Sequence, residues 1–558
     1  MVNKFYKHIF LPLCMFKKEI IDLLSRQVPL KKQEIEPLLE VPPSSELGDY
    51  AFPCFSLAGK LKKSPNEIAQ DIAKKLKPTK AIQEIKVSGP YINFFINQEM
   101  LAKHILMIDE HFGKQKNKEK ILLEHTSVNP NASPHVGRAR NSIIGDSIKR
   151  ILEFSGHKVE THYYINDVSK QVAMLALVFK PSDNFDKLLG KYVEISGKVA
   201  QSKKVEQQVF DLLHKFEHKD KKTTALFKHI VNTAVKGQKR LFSDIGIEFD
   251  YFDYESRYIE TGKQVLKELE HTGKLFKDDE NRLVLNQAHT GLEASMKSPV
   301  LVLTRNDGTG LYPLRDLAYT IDKGKKGRNI IVLGEDQKLY FEQIKQALIL
   351  LKKPYPEVAH YSFVLLKGKG KMATRRGEVV LLEELLNEAL KKAKQEIAKR
   401  KTKGDAKKIA IASIKYAMLR NENNKNIVFD WEQAMNFEGD SGPYLQYAYA
   451  RASSILRKSK KSKIKAKVKI SELKEQEIAL IKEILQFPEI VEHASRNLNP
   501  SLLANYSFQL AQKFNEFYHA CPVIKSREVA FRLRLVEAFR ITLRNSLYLL
   551  GIEVMTEM

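Results

Sequence analysis

The sequence predicts an α/β molecule: a doubly wound parallel sheet carrying a long insertion, with a smaller α+β unit before it and an all-α region after it. Three observations predict this. The apolar stretch ILLEHTS at 121–127 reads as a strand, is followed by helical spacing over 136–155, and returns as the strand KVETHYYI at 158–165, a βαβ unit. Similar strand-then-helix pieces recur at 299–321 and 329–351. From about 382 onward the pattern is almost entirely helical.

The length of 558 residues exceeds what one hydrophobic core organises, so about three domains are expected. Residues 1–113 form the first. Helices are expected at 15–26 and 65–77, the second opened by Ser64-Pro65-Asn66-Glu67, an N-cap and first turn. VSGPYINFFI at 87–96 alternates as a strand after a Gly-Pro turn. The apolar run Ile9 to Phe16 is broken by Pro12 and followed by Lys17, Lys18 and Glu19, so it reads as the start of a helix and not as a leader. The lysine-rich HFGKQKNKEK at 111–120 reads as a linker. The second domain is 114–385. Its first helix places Ile143, Ile144, Ile148, Ile151 and Leu152 on one face, and Gly156 closes it. The stretch of about 167–297 reads as an insertion between two halves of one sheet. The third domain is 386–558, all helical, with basic runs at 391–403 and 457–467.

Lys plus Arg number 93 against 67 Asp plus Glu, a net charge of +26 that suits a polyanion such as nucleic acid. A lysine-rich surface would give the same excess. Cys14, Cys54 and Cys521 lie far apart with no CxxC pair, which supports neither zinc nor disulfides and fits a reducing cytoplasm. No run reaches the roughly 18 apolar residues that a bilayer requires.

Two segments carry the chemistry. Asn129-Pro130-Asn131-Ala132-Ser133-Pro134-His135-Val136-Gly137-Arg138 joins the first strand to its helix, at the carboxyl edge of a parallel sheet where ligands bind. A helix N-terminus there offers backbone N–H groups to phosphate, and Gly137 permits close approach. Gly368-Lys369-Gly370-Lys371-Met372-Ala373-Thr374-Arg375-Arg376-Gly377 is a glycine-rich, cationic loop between a strand and a helix, suited to a polyphosphate. It lacks the GxxxxGK[ST] pattern. Taken singly, each reads more readily as a cap or a solvated surface loop than as a nucleotide site.

Together they resemble the HIGH-type and KMSKS-type signatures of class I aminoacyl-tRNA synthetases. Ordered stretches resemble the arginyl-tRNA synthetase family over nearly the full length: ELGDYAFPCFSLAGKLKKSPNEIAQDIA, EHTSVNPNASPHVGRARNSIIGDSIKRILEFSGHKVETHYYINDVSKQVAML, TRNDGTGLYPLRDLAYTIDK, VLGEDQKLYFEQI, GKMATRRGEVVLLEELLNEA, GDSGPYLQYAYARASSILR and RLRLVEAFRITLRNSLYLLGIEVMTEM. Two positions depart from the signatures: Arg138 stands for the second histidine and Thr374 for the second lysine. Arginine keeps a permanent cation where imidazole could lose its proton.

The resemblance implies a class I Rossmann-type sheet with an inserted domain, an N-terminal α+β domain and a C-terminal all-α anticodon-binding bundle. It implies that arginine is activated by ATP to arginyl-adenylate and transferred to the 3′ end of its tRNA. His135, Arg138 and Lys371 would act on the phosphates, and Pro134, Gly137, Lys369 and Met372 would join them in holding ATP. Glu124, Asn129, Tyr312, Asp316 and Gln337 would form the arginine pocket. Tyr312 and Asp316 are four apart, so on a helix they share a face, and a planar, permanently charged guanidinium calls for carboxylates. Tyr91 and Asn93 would touch the tRNA elbow, and Tyr444, Tyr447 and Met558 the anticodon loop. ATP would enter with Mg2+. No zinc, no membrane partner, a monomer and a cytoplasmic location are expected. The alternatives are a class I enzyme charging another amino acid, and a non-catalytic RNA-binding relative.

Overall fold

A computed structural model describes residues 12–367, 380–461 and 472–558. Lys369, Lys371, Met372 and most of the second basic run therefore lie outside the described residues.

The first unit starts with the helix Pro12–Ser25 and builds a three-stranded antiparallel sheet from β1 (Tyr50–Pro53), β2 (Ile82–Ser88) and β3 (Tyr91–Ile96), in the order β1-β3-β2. The helix Pro65–Ala73 starts where the sequence places it. Ser64 Oγ accepts from the Glu67 amide at 3.3 Å, and the Glu67 carboxylate accepts from the Ser64 amide at 3.0 Å, a reciprocal cap. The segment read as a linker at 111–120 is packed down. Phe112 is buried 6.1 Å from the Phe487 ring, and Asn545 Nδ2 donates to the carbonyls of Glu110 and Phe112. One aromatic among the lysines is enough to dock this stretch on the C-terminal bundle.

The central sheet begins with β4 (Lys120–Glu124), β5 (Lys158–Ile165) and β6 (Tyr251–Tyr254). The helix Val136–Phe154 crosses between β4 and β5, and Gly156 closes its C-terminal end at φ +91°, a conformation that favours glycine. Gly145 in that helix lies on His125: a Cβ there would stand 2.2 Å from the imidazole Cγ. A separate antiparallel sheet follows, β7 (Leu275–Lys277), β8 (Leu283–Asn286) and β9 (Val300–Val302). Then come β10 (Arg328–Gly334) and β11 (Glu357–Tyr361). The main sheet is parallel throughout, in the order β11-β10-β4-β5-β6. From β4 the chain winds one way to β5 and β6 and later returns on the other side to β10 and β11. The switch point lies between β4 and β10, where Glu124 pairs in register with Ile331.

Two expectations are corrected. The strand at 299–302 belongs to the small antiparallel sheet and not to the parallel one, since a short apolar run does not reveal its partners. The parallel edge strand is instead β6, which lies inside the stretch read as inserted; its sequence YFDY carries too few aliphatic residues to show as a strand. Before β6 run the insertion helices, among them Leu188–Gln201, Lys203–Glu217 and Lys221–Asp244.

The C-terminal region is a stack of helices: Leu382–Arg400, Ala406–Leu419, Gly442–Lys461, Glu475–Arg496, Ser501–Ala520 and Val529–Leu549. Its core includes Phe514 and Phe539, stacked at 3.8 Å. Polar bonds tie this bundle to the helix Val136–Phe154. Buried Lys415 donates to the Gly551 carbonyl at 2.8 Å and lies 3.5 Å from Asp146, and Ser147 Oγ donates to the Leu549 carbonyl at 2.7 Å. Fully buried Arg140 donates to the carbonyls of Ser362, Lys425 and Glu422 at 2.7–3.1 Å.

Candidate active site

A cavity of about 450 Å3 opens at the carboxyl ends of β4 and β10, beside the switch point. Glu124, Asn129, Tyr312, Asp316 and Gln337 all line it, together with Arg138. Four separate segments bring them there: the end of β4, the loop after it, the first turns of the helix Tyr312–Gly324, and the turn Glu335–Gln337 that follows β10. Three larger hollows, of about 730, 650 and 610 Å3, lie against the C-terminal bundle, and none reaches the ends of the parallel strands.

The cavity wall also contains residues that sequence reasoning missed: Tyr164, Glu255, Tyr319 and Tyr340. Tyr340 donates its hydroxyl to Asp316 Oδ2, and its ring lies 5.1 Å from that of Tyr312. Tyr164 stacks on Tyr319 at 4.5 Å. Glu255, 1% exposed, accepts from Arg315 Nε at 2.5 Å, and Arg315 Nη1 donates to the Gly310 carbonyl. Glu124 is paired through Oε2 with the ammonium of buried Lys323. Glu255 follows β6 directly, so the failure to see that strand also hid this carboxylate.

Burial, with Glu124 nearby, pushes the Asp316 carboxyl up to about 6 against the pull of the Tyr340 hydroxyl. Burial also pushes Glu255 upward, opposed by Arg315. Tyr164 and Tyr340 are held well above the usual phenol range, so both remain hydroxyl donors. The cavity is thus rich in carboxyl groups that a bound cation would ionise.

His135 is the N-cap of the helix Val136–Phe154, whose first turn carries the cavity residue Arg138. Its Nδ1 accepts from the Gly137 amide at 3.1 Å, which leaves the proton on Nε2 and makes that atom a donor. Burial, then the neighbouring Arg138, lowers its pKa to about 4, so the ring is neutral near neutral pH. The expectation of free backbone N–H groups here is corrected. The Val136 amide donates to the Val380 carbonyl, and the Gly137 amide is taken by His135. Donors for an anion therefore come from the side chains of His135 and Arg138. Gly137 serves a nearer neighbour as well: a Cβ there would lie 3.1 Å from the His135 ring. Pro134 is fixed by its carbonyl, which accepts from the Leu382 amide. Among the described residues no group of three or more His, Cys, Asp or Glu side chains converges on a metal site. No described helix is long and apolar enough to cross a membrane.

The residues expected to meet tRNA are spread over two units. Tyr91 is half-buried and meets Phe55 edge-on at 5.7 Å, whereas Asn93, on the same face of β3, is only 4% exposed. Tyr444 is buried, its hydroxyl accepting from Asn515 Nδ2 at 2.8 Å. Tyr447 is more open, with the Arg451 guanidinium 4.8 Å from its ring and 5.2 Å from that of exposed Tyr518. Met558 packs partly buried against the core.

Known proteins match along nearly the whole chain. The family model "tRNA synthetases class I (R), catalytic domain" covers residues 101–431, "Arginyl tRNA synthetase N terminal domain" covers 15–96, and "DALR anticodon binding domain" covers 445–558. The arginine–tRNA ligase of Methanocaldococcus jannaschii is 38% identical over 96% of this chain and 98% of its own length. That of Methanothermobacter thermautotrophicus is 37% identical over 92% and 94%. The arginyl-tRNA synthetase of Thermus thermophilus superimposes with a TM-score of 0.81 at 27% identity, covering 98% of this chain and all of the other. The Plasmodium falciparum enzyme, at 20% identity, shares the fold with a TM-score of 0.77. With its catalytic model spanning more than half of the residues and such relatives matching end to end, the chain belongs to the class I arginyl-tRNA synthetase family.

Proposed function

We propose that the cavity at the β4–β10 switch point is the arginine pocket of an arginine–tRNA ligase, and that His135 and Arg138, at the start of the adjoining helix, face the phosphates of ATP. The single observation that supports this reading is the meeting of Glu124, Glu255 and Asp316, drawn from distant segments, in one cavity beside the signature helix. A guanidinium has donors enough for such a wall, and each charge-assisted bond contributes roughly 1.5–3 kcal/mol. A neutral amino acid would leave buried carboxyls without partners, which gives discrimination without editing.

As a member of its family the chain activates arginine with ATP. The arginine carboxylate attacks the α-phosphorus, the bond to the bridging oxygen breaks, and pyrophosphate leaves. The terminal ribose hydroxyl of tRNA then attacks the adenylate carbonyl, AMP leaves, and the hydroxyl proton passes to solvent. The protein aligns the reactants and stabilises charge on phosphate. His135 donates through Nε2, Arg138 adds a fixed cation, and Gly137 and Pro134 shape the approach. Lys371, helped by Lys369 and Met372, holds the departing pyrophosphate in this reading, which for those three rests on the sequence alone. ATP enters as its Mg2+ complex. For tRNA, Tyr91 serves at the elbow, and Tyr447 with Met558 at the anticodon end. Asn93, beside Tyr91 on the same face of β3, and buried Tyr444 belong to these two surfaces. We divide the chain at 113 and 385 and take it as a cytoplasmic monomer.

The test is arginine-dependent pyrophosphate exchange, with and without tRNA, for the parent and for Asp316→Asn. The reading expects exchange with arginine alone among amino acids, and an arginine KM raised at least about tenfold in the variant. An unchanged KM removes the cavity from the arginine site. Exchange with a different amino acid overturns the substrate.

A further inference from the structure

The wall of the cavity holds three buried or half-buried carboxyls, Glu124, Glu255 and Asp316, while two cations stand directly behind it. Arg315 is bonded to Glu255, and Lys323 to Glu124. Asp316 takes its hydrogen bond from the neutral hydroxyl of Tyr340. Of these three carboxyls, Asp316 is the one with no cation bonded to it among the described residues, a place that a single guanidinium fits.

Lys323 is an unusual member of this set. It is 2% exposed, although it occupies the last turn of its helix, where lysine ordinarily reaches for water. Its ammonium lies 4.2 Å from the centre of the Tyr319 ring and bonds Glu124 Oε2, leaving Oε1 for a ligand. Tyr319 is held in turn by Asp253, which accepts from its hydroxyl at 2.9 Å and from His162 Nδ1 at 2.7 Å. A buried ammonium persists only where such partners surround it.

Resting on the reading of this cavity as the arginine pocket, we propose that Lys323 is a positioning residue for arginine: it fixes the Glu124 carboxylate at the end of β4 and cancels its charge, so that the pocket selects one cation and presents Glu124 Oε1 to it. The role is specific to ground-state recognition. Its loss should appear in the arginine KM and leave the turnover of bound substrate nearly intact.

The experiment is pyrophosphate exchange by the full chain with saturating ATP and tRNA. Lys323→Met should raise the arginine KM by about tenfold or more while kcat changes less than about threefold, and Lys323→Arg should restore KM to within about threefold of the parent. An unchanged KM in Lys323→Met, or a Lys323→Arg as impaired as Lys323→Met, overturns the proposal. Should Lys323→Met not fold, the double variant Glu124→Gln/Lys323→Met removes both charges together. Its KM should equal that of Glu124→Gln, since Lys323 then has no carboxylate to hold, and a further rise overturns the proposal. Asp316→Asn in the same assay separates the two ideas: an unchanged KM there sinks the pocket itself, whereas a raised KM beside a normal Lys323→Met sinks only the role of Lys323.

Discussion

At the level of single residues, the two ionisable groups at the heart of the site are displaced in ways that fit different tasks. Asp316 titrates near 6 because it is buried beside Glu124, and a guanidinium binds its ionised form. Lowering the pH through 6 protonates it, so kcat/KM for arginine should fall on the acid side, approaching about tenfold per pH unit. Asp316→Asn should abolish that limb along with most of the affinity; a limb that survives in the variant belongs to another group. His135, held down to about 4, contributes no inflection near 6.5 and keeps its Nε2 proton across the working range. Much of this was legible in the sequence. Glu124, Asn129, Tyr312, Asp316 and Gln337 are expected together and line one cavity. Lys323 was not, because a lysine in a final helical turn reads as a solvated charge. Asn93 misleads in the opposite sense: a polar side chain in an alternating strand reads as outward, yet this one is buried.

Among the elements, the helix Val136–Phe154 is the one on which most depends. Its N-terminal end holds His135 and Arg138, its middle presses Gly145 on His125, and its far half is tied to the C-terminal bundle by Asp146 and Ser147, with the Arg150 guanidinium 5.1 Å from the Tyr548 ring. Lys415, 1% exposed, has Asp146 and the Gly551 carbonyl as partners. Removing one member of a buried pair strands the other, at a cost of about 3–5 kcal/mol. Asp146→Ala should therefore shift the denaturant midpoint sharply downward, and Asp146→Leu combined with Lys415→Met should recover part of the loss. A midpoint unmoved by the single substitution would show that the pair carries no stability. The helix and its flanking strands β4 and β5 were legible, since amphipathic spacing and the closing glycine mark them. The strand β6 and the sheet that β9 joins were not. β6 has too few aliphatics to be seen, and β9 is an apolar triplet whose partners only tertiary structure reveals.

Across the molecule, the first unit and the C-terminal bundle are neighbours in space. Lys482 pairs with Asp49, Arg534 donates to the Leu106 carbonyl at 3.0 Å, and Asn545 holds the segment between the first unit and the sheet. The bundle thus touches both the first unit and the signature helix, a connection that no local pattern in the sequence announces. The pairing of β4 with β10 has a kinetic consequence. These adjacent strands are about 200 residues apart in the chain, and closing so long a loop forfeits more entropy than local helix formation does. Helical regions should therefore regain their far-ultraviolet signal early after dilution from denaturant, and arginine binding should return last, as a separate slower phase. Simultaneous recovery of both signals would mean that the two halves of the sheet find each other before the helices settle. On this view the ability to hold the amino acid is the final property the polypeptide acquires, and a chain halted midway would be rich in helix yet blind to its substrate.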